Sequence, residues 1–186
     1  MNASLPLYQI LLGVCVLVGS ACWWGVFVCA LFFRSRSERF DATLAVWPPV
    51  TLLKPVYGLE KKLLTNLRSA CLQDYPQYQV VYSVQRRNDP ALPLLLQLQN
   101  EFGAEKVAVV HSRANVGLNG KINNLAGALP HARHDLLVIS DSDVLLRPDF
   151  LRRIVAPLAD PEVGAVSTFF RGRDAAAWYE QMEQLT

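Results

Sequence analysis

The distribution of apolar positions divides the chain into two unlike parts. No Asp, Glu, Lys or Arg occurs before Arg34, and the segment Leu7–Phe33 is almost entirely apolar. This segment is longer than the roughly 20 residues that a helix needs to span the hydrocarbon of a bilayer. It also lacks the basic start of a cleaved signal peptide, and its apolar run is too long for one. We therefore predict a transmembrane helix over residues 7–33.

After residue 49, short apolar runs alternate with stretches of helical spacing. The predicted strands are Val50–Leu53, Gln79–Val84, Val107–Val110, Leu136–Ser140 and Val163–Phe169. The predicted helices are Leu59–Leu72, Leu92–Phe102, Lys121–Leu129, Phe150–Leu158 and Ala175–Leu185. Such alternation is typical of an α/β fold, with a Rossmann-like, mostly parallel sheet covered by helices on both faces. We assign residues 34–48 to a basic juxtamembrane linker and 49–186 to the α/β domain.

The charges bear on location and on partners. The formal net charge is +2, and acidic and basic residues are interleaved after residue 50, so nucleic-acid binding has no electrostatic support. Arg34, Arg36 and Arg39 follow the apolar segment directly, whereas no Lys or Arg precedes it. The positive-inside rule then predicts an inner (plasma) membrane protein whose α/β domain faces the cytoplasm.

Two carboxylates follow the fourth predicted strand, at Asp141 and Asp143. Ligands of such sheets bind outside the carboxyl ends of the strands. Carboxylates one residue apart can share one hard divalent cation, Mg²⁺ or Mn²⁺, which takes its other ligands from phosphate oxygens and water. The alternative is an Asx turn that caps the following helix.

Two further candidates also follow predicted strands. Asp89 lies after the second strand and can accept hydrogen bonds from a nucleobase or ribose, or can cap a helix that starts at Pro90. Lys121 directly follows the glycine-containing loop 115–120 and begins the next helix. Free backbone N–H groups and a lysine charge at such a helix start would suit a diphosphate. The alternative for Lys121 is a solvated lysine on a flexible loop. The spacing matches neither a Walker A loop nor a dinucleotide-binding fingerprint.

Six motifs, in this order and spacing, resemble the ceramide glucosyltransferase family. They are Lys54–Gly58, Asn66–Leu67, Asp74–Pro76, Asn88–Ala91, Gly117–Leu125 and Ile139–Asp143. The resemblance extends from about Pro48 to Phe170, and it looks strongest to the bacterial branch that contains hopanoid biosynthesis glycosyltransferases. A single membrane helix before the domain also fits this family.

The resemblance implies an inverting enzyme of GT-A fold that moves a sugar from a UDP-sugar to a lipid hydroxyl on a hopanoid, ceramide or diacylglycerol. It implies that Asp89 binds the nucleotide, that Asp141 and Asp143 bind diphosphate and metal, and that Lys121 lies near the uridine or the phosphates. Two alternatives stay open. One is a processive polysaccharide synthase of the same fold, and the other is a non-catalytic, membrane-tethered domain that binds nucleotide.

The family also requires a third aspartate as general base and a [Q/R]-x-x-R-W motif, both of which the resemblance implies beyond Thr186. We therefore expect a C-terminally truncated protein with no catalytic residue of its own. Because general-base help is commonly worth about 10²–10⁴-fold in rate, we expect negligible sugar transfer when the purified chain is assayed with a UDP-sugar and a lipid acceptor. Measurable transfer would contradict this expectation.

Overall fold

The computed structural model describes residues 6–37, 44 and 46–168. Contacts between residues divide the chain into two compact units, Met1–Thr43 and Leu44–Thr186, which are considered separately below. The predicted helix Ala175–Leu185 lies outside the described residues.

The first unit contains one long helix, α1, which spans Leu7–Ser37. Among the described residues, Leu7–Phe32 is the helical stretch that is long and apolar enough for a membrane span, with 26 residues and a mean hydropathy of 2.2. The helix continues to Ser37 and so enters the segment predicted as a linker. Arg and Ser are tolerated inside helices, so the end of the apolar run does not end the helix.

The second unit is built on a parallel sheet. Within the described residues it has four strands, in the order β3-β2-β1-β4: β1 Val50–Pro55, β2 Tyr78–Val84, β3 Val107–His111 and β4 Leu136–Ile139. The central strand β1 pairs in parallel with both neighbours, so that Leu52 lies opposite Val80 on one side and Val138 on the other. This confirms the predicted mostly parallel sheet.

Helices cover both faces of this sheet. They are α2 Leu63–Cys71, α3 Leu92–Phe102, α4 Gly120–Ala128 and α5 Phe150–Val155, with 3₁₀ turns at Leu129–His131 and Ala156–Ala159. Successive residues of a strand point to opposite faces. Leu52 accordingly packs in a core with side chains of α2, α3 and α5, whereas Leu53 packs in a smaller one with Ala128 of α4. The predicted two-sided packing is therefore confirmed.

Helix α4 lies unusually close to the chain that follows β3. A Cβ added at Gly127 would lie 2.0 Å from Ser112 Oγ, so only glycine permits this approach. The Ser112 hydroxyl in turn donates to the carbonyl of Asn123 at 2.8 Å. At the same helix, the Asn124 amide donates to the carbonyls of Val56 and Ser83 at 3.2 and 2.9 Å. These contacts fix the first turn of α4 against the carboxyl ends of β1 and β2.

The prediction of a fifth strand over Val163–Phe169 is wrong for residues 163–168. Residues 163–168 have no regular secondary structure, and Phe169 lies outside the described residues. An apolar run forms a strand only when a neighbouring strand supplies hydrogen-bond partners. Among the described residues, β4 pairs with β1 alone and has no further strand beside it.

Two boundaries near the start of the domain also differ from prediction. Strand β1 does not break at Lys54 but runs through it to Pro55. A proline is tolerated there because it ends the strand, where its missing N–H disrupts the ladder least. Helix α2 begins at Leu63 and not at Leu59, because Lys62 has a positive φ of 60° that is incompatible with a right-handed helix.

Candidate functional site

A cleft of about 340 Å³ opens at the carboxyl ends of the strands. Its walls include Pro55–Tyr57 at the end of β1, the first turn of α4 with Lys121 and Asn124, and Asp141–Asp143 after β4. Strand β1 connects to β2 on one side, while β4 joins the sheet on the other side. The cleft thus lies where the strand order reverses, which is the usual ligand-binding position of open α/β sheets.

The structure brings Lys121 and Asp141 into direct contact. Their Nζ and Oδ1 atoms are 2.5 Å apart, and their side chains are 50% and 40% exposed. An ion pair this open to water contributes little stability, with a median of about 0–1 kcal/mol. Each partner is therefore available to exchange the other for a ligand, the lysine for an anion and the carboxylate for a cation.

Asp143 lines the same cleft, two residues after Asp141. Ser142 between them also lines it and donates to Glu60 Oε2, another residue of the cleft wall, at 3.3 Å. Within the part of the chain that the structure describes, no group of three or more His, Cys, Asp or Glu could hold a metal ion. The residues still fit a hard cation such as Mg²⁺ or Mn²⁺, which binds proteins through one or two carboxylates and takes further oxygens from phosphate and water.

Lys54, which the sequence analysis placed in a family motif but gave no role, lies directly behind these carboxylates. Its side chain is 0% exposed, and its Nζ donates to Ser140 Oγ at 3.1 Å and to the carbonyls of Asp141 and Val144 at 2.7 and 3.2 Å. Burial lowers the pKa of Lys54 to about 8, and the charges of Asp143 and Asp141 oppose that shift. A lysine in an otherwise apolar central strand is the sequence feature that would have revealed it, because a buried charge requires partners.

Two polar side chains of α2 and one just after it hold the backbone that follows β4. Asn66 and Ser69 are three residues apart, which places them on one side of the helix, and Gln73 follows the end of α2 at Cys71. The bonds run from Asn66 Nδ2 to Asp143 O (2.8 Å), from Leu146 N to Ser69 Oγ (2.9 Å), from Gln73 Nε2 to Arg147 O (2.8 Å) and from Leu151 N to Gln73 Oε1 (3.1 Å). The irregular segment between β4 and α5 therefore finds partners for its backbone groups on α2 and on Gln73.

Asp89 lies outside the set of residues that line the cleft. It is 3% exposed, and its carboxylate accepts the N–H of Gly58 at 3.1 and 3.2 Å and the N–H of Ala91 at 2.9 Å. Gly58 has a positive φ of 68°, so the carboxylate holds a turn that favours glycine. Asp89 thus joins the turn after β1 to the start of α3, which begins at Leu92 and not at Pro90.

The loop before α4 differs from the prediction. Asn119 Oδ1 accepts the N–H groups of Lys121 and Ile122, and Asn123 Oδ1 accepts those of Val116 and Gly117. The expectation of free backbone N–H groups for an anion is therefore wrong at these four positions. The N-cap Asn119 accepts two N–H groups of the first turn, and Asn123 accepts two of the loop. The cation that this loop offers to the cleft is the Lys121 side chain.

The sequence matches glycosyl transferase family 21 over residues 9–186. The chain belongs to this family. Family 21 membership, together with the curated relatives described next, confirms the resemblance to ceramide glucosyltransferases that the six motifs indicated.

Curated relatives and a solved structure support the assignment to family 21. Ceramide glucosyltransferase 1 of Caenorhabditis elegans is 27% identical over 146 residues, which cover 78% of this chain and 31% of that protein. The ceramide glucosyltransferase of Komagataella phaffii is 29% identical over 161 residues, which cover 83% of this chain and 31% of that protein. The chain thus spans about a third of the length of these relatives. A mannosyltransferase from Pyrobaculum calidifontis, solved with GDP-Man and Mn²⁺, is 28% identical with a TM-score of 0.58 over 80% of this chain and 45% of that chain. The predicted GT-A-type fold is confirmed.

Replacement of Asp89 tests whether its buried carboxylate organises the site. We expect Asp89→Ala to lower the free energy of unfolding by about 1.5–3 kcal/mol, because hydrogen bonds to a charged group are lost and buried N–H groups are left unpaired. Urea unfolding measures the change. The matched control is Asp160→Ala, which removes an exposed aspartate that accepts one backbone N–H from Glu162 and should shift stability by less than about 0.5 kcal/mol. Equal losses in the two variants would contradict the assignment.

Proposed function

We propose that this chain is the donor-binding part of a membrane-bound glycosyltransferase that transfers a sugar from a UDP-sugar to a lipid hydroxyl. The observation that carries the proposal is the cleft at the reversal of strand order, where Lys121 contacts Asp141 and Asp143 lies two residues further on. One lysine charge and two carboxylates are the groups that a metal-bound diphosphate requires. Membership of family 21 and the ceramide glucosyltransferase relatives support this function.

The diphosphate of the donor would lie between Lys121 and the two carboxylates. Asp141 and Asp143 would hold Mg²⁺ or Mn²⁺, and Lys121, freed from Asp141, would contact the phosphates. The bound cation would neutralise the charge that develops on the diphosphate as it leaves. The mannosyltransferase of similar fold, solved with GDP-Man and Mn²⁺, supports a nucleotide-sugar and a divalent cation as ligands.

The nucleoside would lie towards the end of β2, where we propose that Asp89 contributes to nucleotide binding. Its carboxylate fixes the turn at Gly58, next to Tyr57 in the cleft wall. The Tyr57 ring is 59% exposed, and the guanidinium of Arg86 lies 5.0 Å from its centroid. An exposed aromatic ring can stack on a nucleobase, which is commonly worth about 1–3 kcal/mol.

The acceptor in this proposal is a membrane lipid such as a hopanoid or a sphingolipid. Helix α1 has the length and composition of a membrane span, and the basic residues that follow Phe33 favour placing the second unit on the cytoplasmic side of the plasma membrane. Asp141 and Asp143 are assigned to donor binding, so acceptor activation is not assigned to them.

Calorimetric titration of the full chain in detergent tests the donor site. We expect UDP to bind in the presence of Mn²⁺, and GDP to bind more weakly. Asp143→Asn should weaken Mn²⁺-dependent UDP binding at least about tenfold, equivalent to 1.4 kcal/mol, because it removes a charged metal ligand.

The matched control for this titration is Asp149→Asn, which removes a carboxylate outside the cleft that pairs with Arg147 and Arg153. It should leave the affinity unchanged. Absence of UDP binding by the wild-type chain would contradict the donor proposal, a preference for GDP would contradict the choice of nucleotide, and full affinity in Asp143→Asn would contradict its role as a metal ligand.

A further inference from the structure

The buried ammonium of Lys54 has no role in the function proposed above. Transfer of an ammonium from water to a protein interior is strongly unfavourable unless hydrogen bonds replace its hydration. The acceptors that replace it here are Ser140 Oγ and the carbonyls of Asp141 and Val144. These acceptors all lie in the segment 140–144, which also carries both carboxylates of the cleft.

The same segment forms a tight turn around the ammonium. Val144 N donates to Asp141 O at 3.3 Å, and this carbonyl also accepts the Lys54 Nζ at 2.7 Å. Ser140 N donates to the carbonyl of Leu53, the residue before Lys54, at 3.1 Å. Displacement of the turn would leave a buried charge without partners, so the lysine resists such movement.

The opposite side of the turn is fixed by α2. Asn66, which is 7% exposed, donates from Nδ2 to the carbonyl of Asp143 at 2.8 Å. The carbonyls of Asp141 and Asp143 are therefore used by Lys54 and Asn66, while both side chains line the cleft. Backbone groups fixed from two directions leave the carboxylates little freedom to diverge.

We propose that Lys54 is a positioning residue of the donor site, whose ammonium fixes the turn 140–144 so that the carboxylates of Asp141 and Asp143 meet one metal-bound diphosphate. This inference rests on the proposed function, because it takes a nucleoside diphosphate with a divalent cation as the ligand. Lys54 acts through the backbone of the turn and does not contact the ligand. A purely structural lysine would affect stability alone, whereas a positioning lysine also affects the metal-dependent part of binding.

The test compares UDP binding with Mn²⁺ and with EDTA, using the full chain in detergent below the unfolding temperature of each variant. In the wild type, Mn²⁺ should strengthen UDP binding at least about tenfold. Lys54→Met keeps an unbranched apolar stem but removes the ammonium. It should abolish most of this enhancement and change the metal-free affinity by less than about threefold, since Lys121 and the nucleoside contacts remain.

Two further variants keep the test decisive. Ser140→Ala keeps the Lys54 ammonium and removes one hydroxyl, which accepts from Lys54 at 3.1 Å and donates to Asp141 O at 3.4 Å. It should therefore fold even if Lys54→Met does not, and it should lose part of the Mn²⁺ enhancement. Gln73→Met is the control for stability, because it removes buried hydrogen bonds to Arg147 and Leu151 further along the same segment. It should lower the unfolding temperature and leave the Mn²⁺ enhancement intact.

The outcomes separate the inference from the function on which it rests. Loss of the enhancement in Lys54→Met or Ser140→Ala, together with its retention in Gln73→Met, supports the inference. Retention in both Lys54→Met and Ser140→Ala overturns the inference alone, and so does an equal loss in Gln73→Met, because instability would then explain the effect. Absence of UDP binding by the wild-type chain overturns the proposed function and the inference together.

Discussion

The burial of the Lys54 ammonium is the constraint on which the geometry of the cleft depends. A charge with no exposure is tolerated only while its hydrogen bonds are complete. Ser140, Asp141 and Val144 must therefore stay close to the end of β1, although they follow β4 in the chain. The segment that carries the two cleft carboxylates thereby becomes a fixed part of the sheet edge, even though it has no regular secondary structure.

A second buried charge, on Asp89, connects the carboxyl end of β1 to the chain that follows β2. Asp89, which follows β2, accepts the backbone N–H of Gly58 just after β1. The carboxyl end of β1 is thus joined to β4 through a buried cation and to β2 through a buried anion. Residues 55–57 between these attachments line the cleft together with Lys121 and Asp141. A rigid wall suits a site that must align a nucleotide and its metal ion in advance.

The pattern of apolar and polar residues predicted those elements whose position depends on which side chains are buried. The helix Leu92–Phe102 has the predicted bounds because apolar residues at helical spacing pack on the sheet. The acidic pair follows β4 as predicted, although β4 is an edge strand of the described sheet, on which Leu137 and Ile139 are exposed. The prediction of a fifth strand was wrong because a strand forms only beside a neighbouring strand that supplies hydrogen-bond partners. The prediction of free N–H groups at the start of α4 was wrong because the side-chain oxygens of Asn119 and Asn123 accept hydrogen bonds from those groups. The supports of the acidic turn were not predictable, since Asn66 and Asp143 are 77 residues apart in sequence.

The most direct test of the central claim is amide hydrogen–deuterium exchange in residues 140–147, compared between the wild type and Lys54→Met. The amides of Ser140, Val144 and Leu146 are hydrogen-bonded in this segment and should exchange slowly in the wild type. We predict at least about tenfold faster exchange of these amides in Lys54→Met, with the amides of β2 unchanged as the internal reference. Unchanged exchange across residues 140–147 would contradict the claim that the buried ammonium fixes this turn.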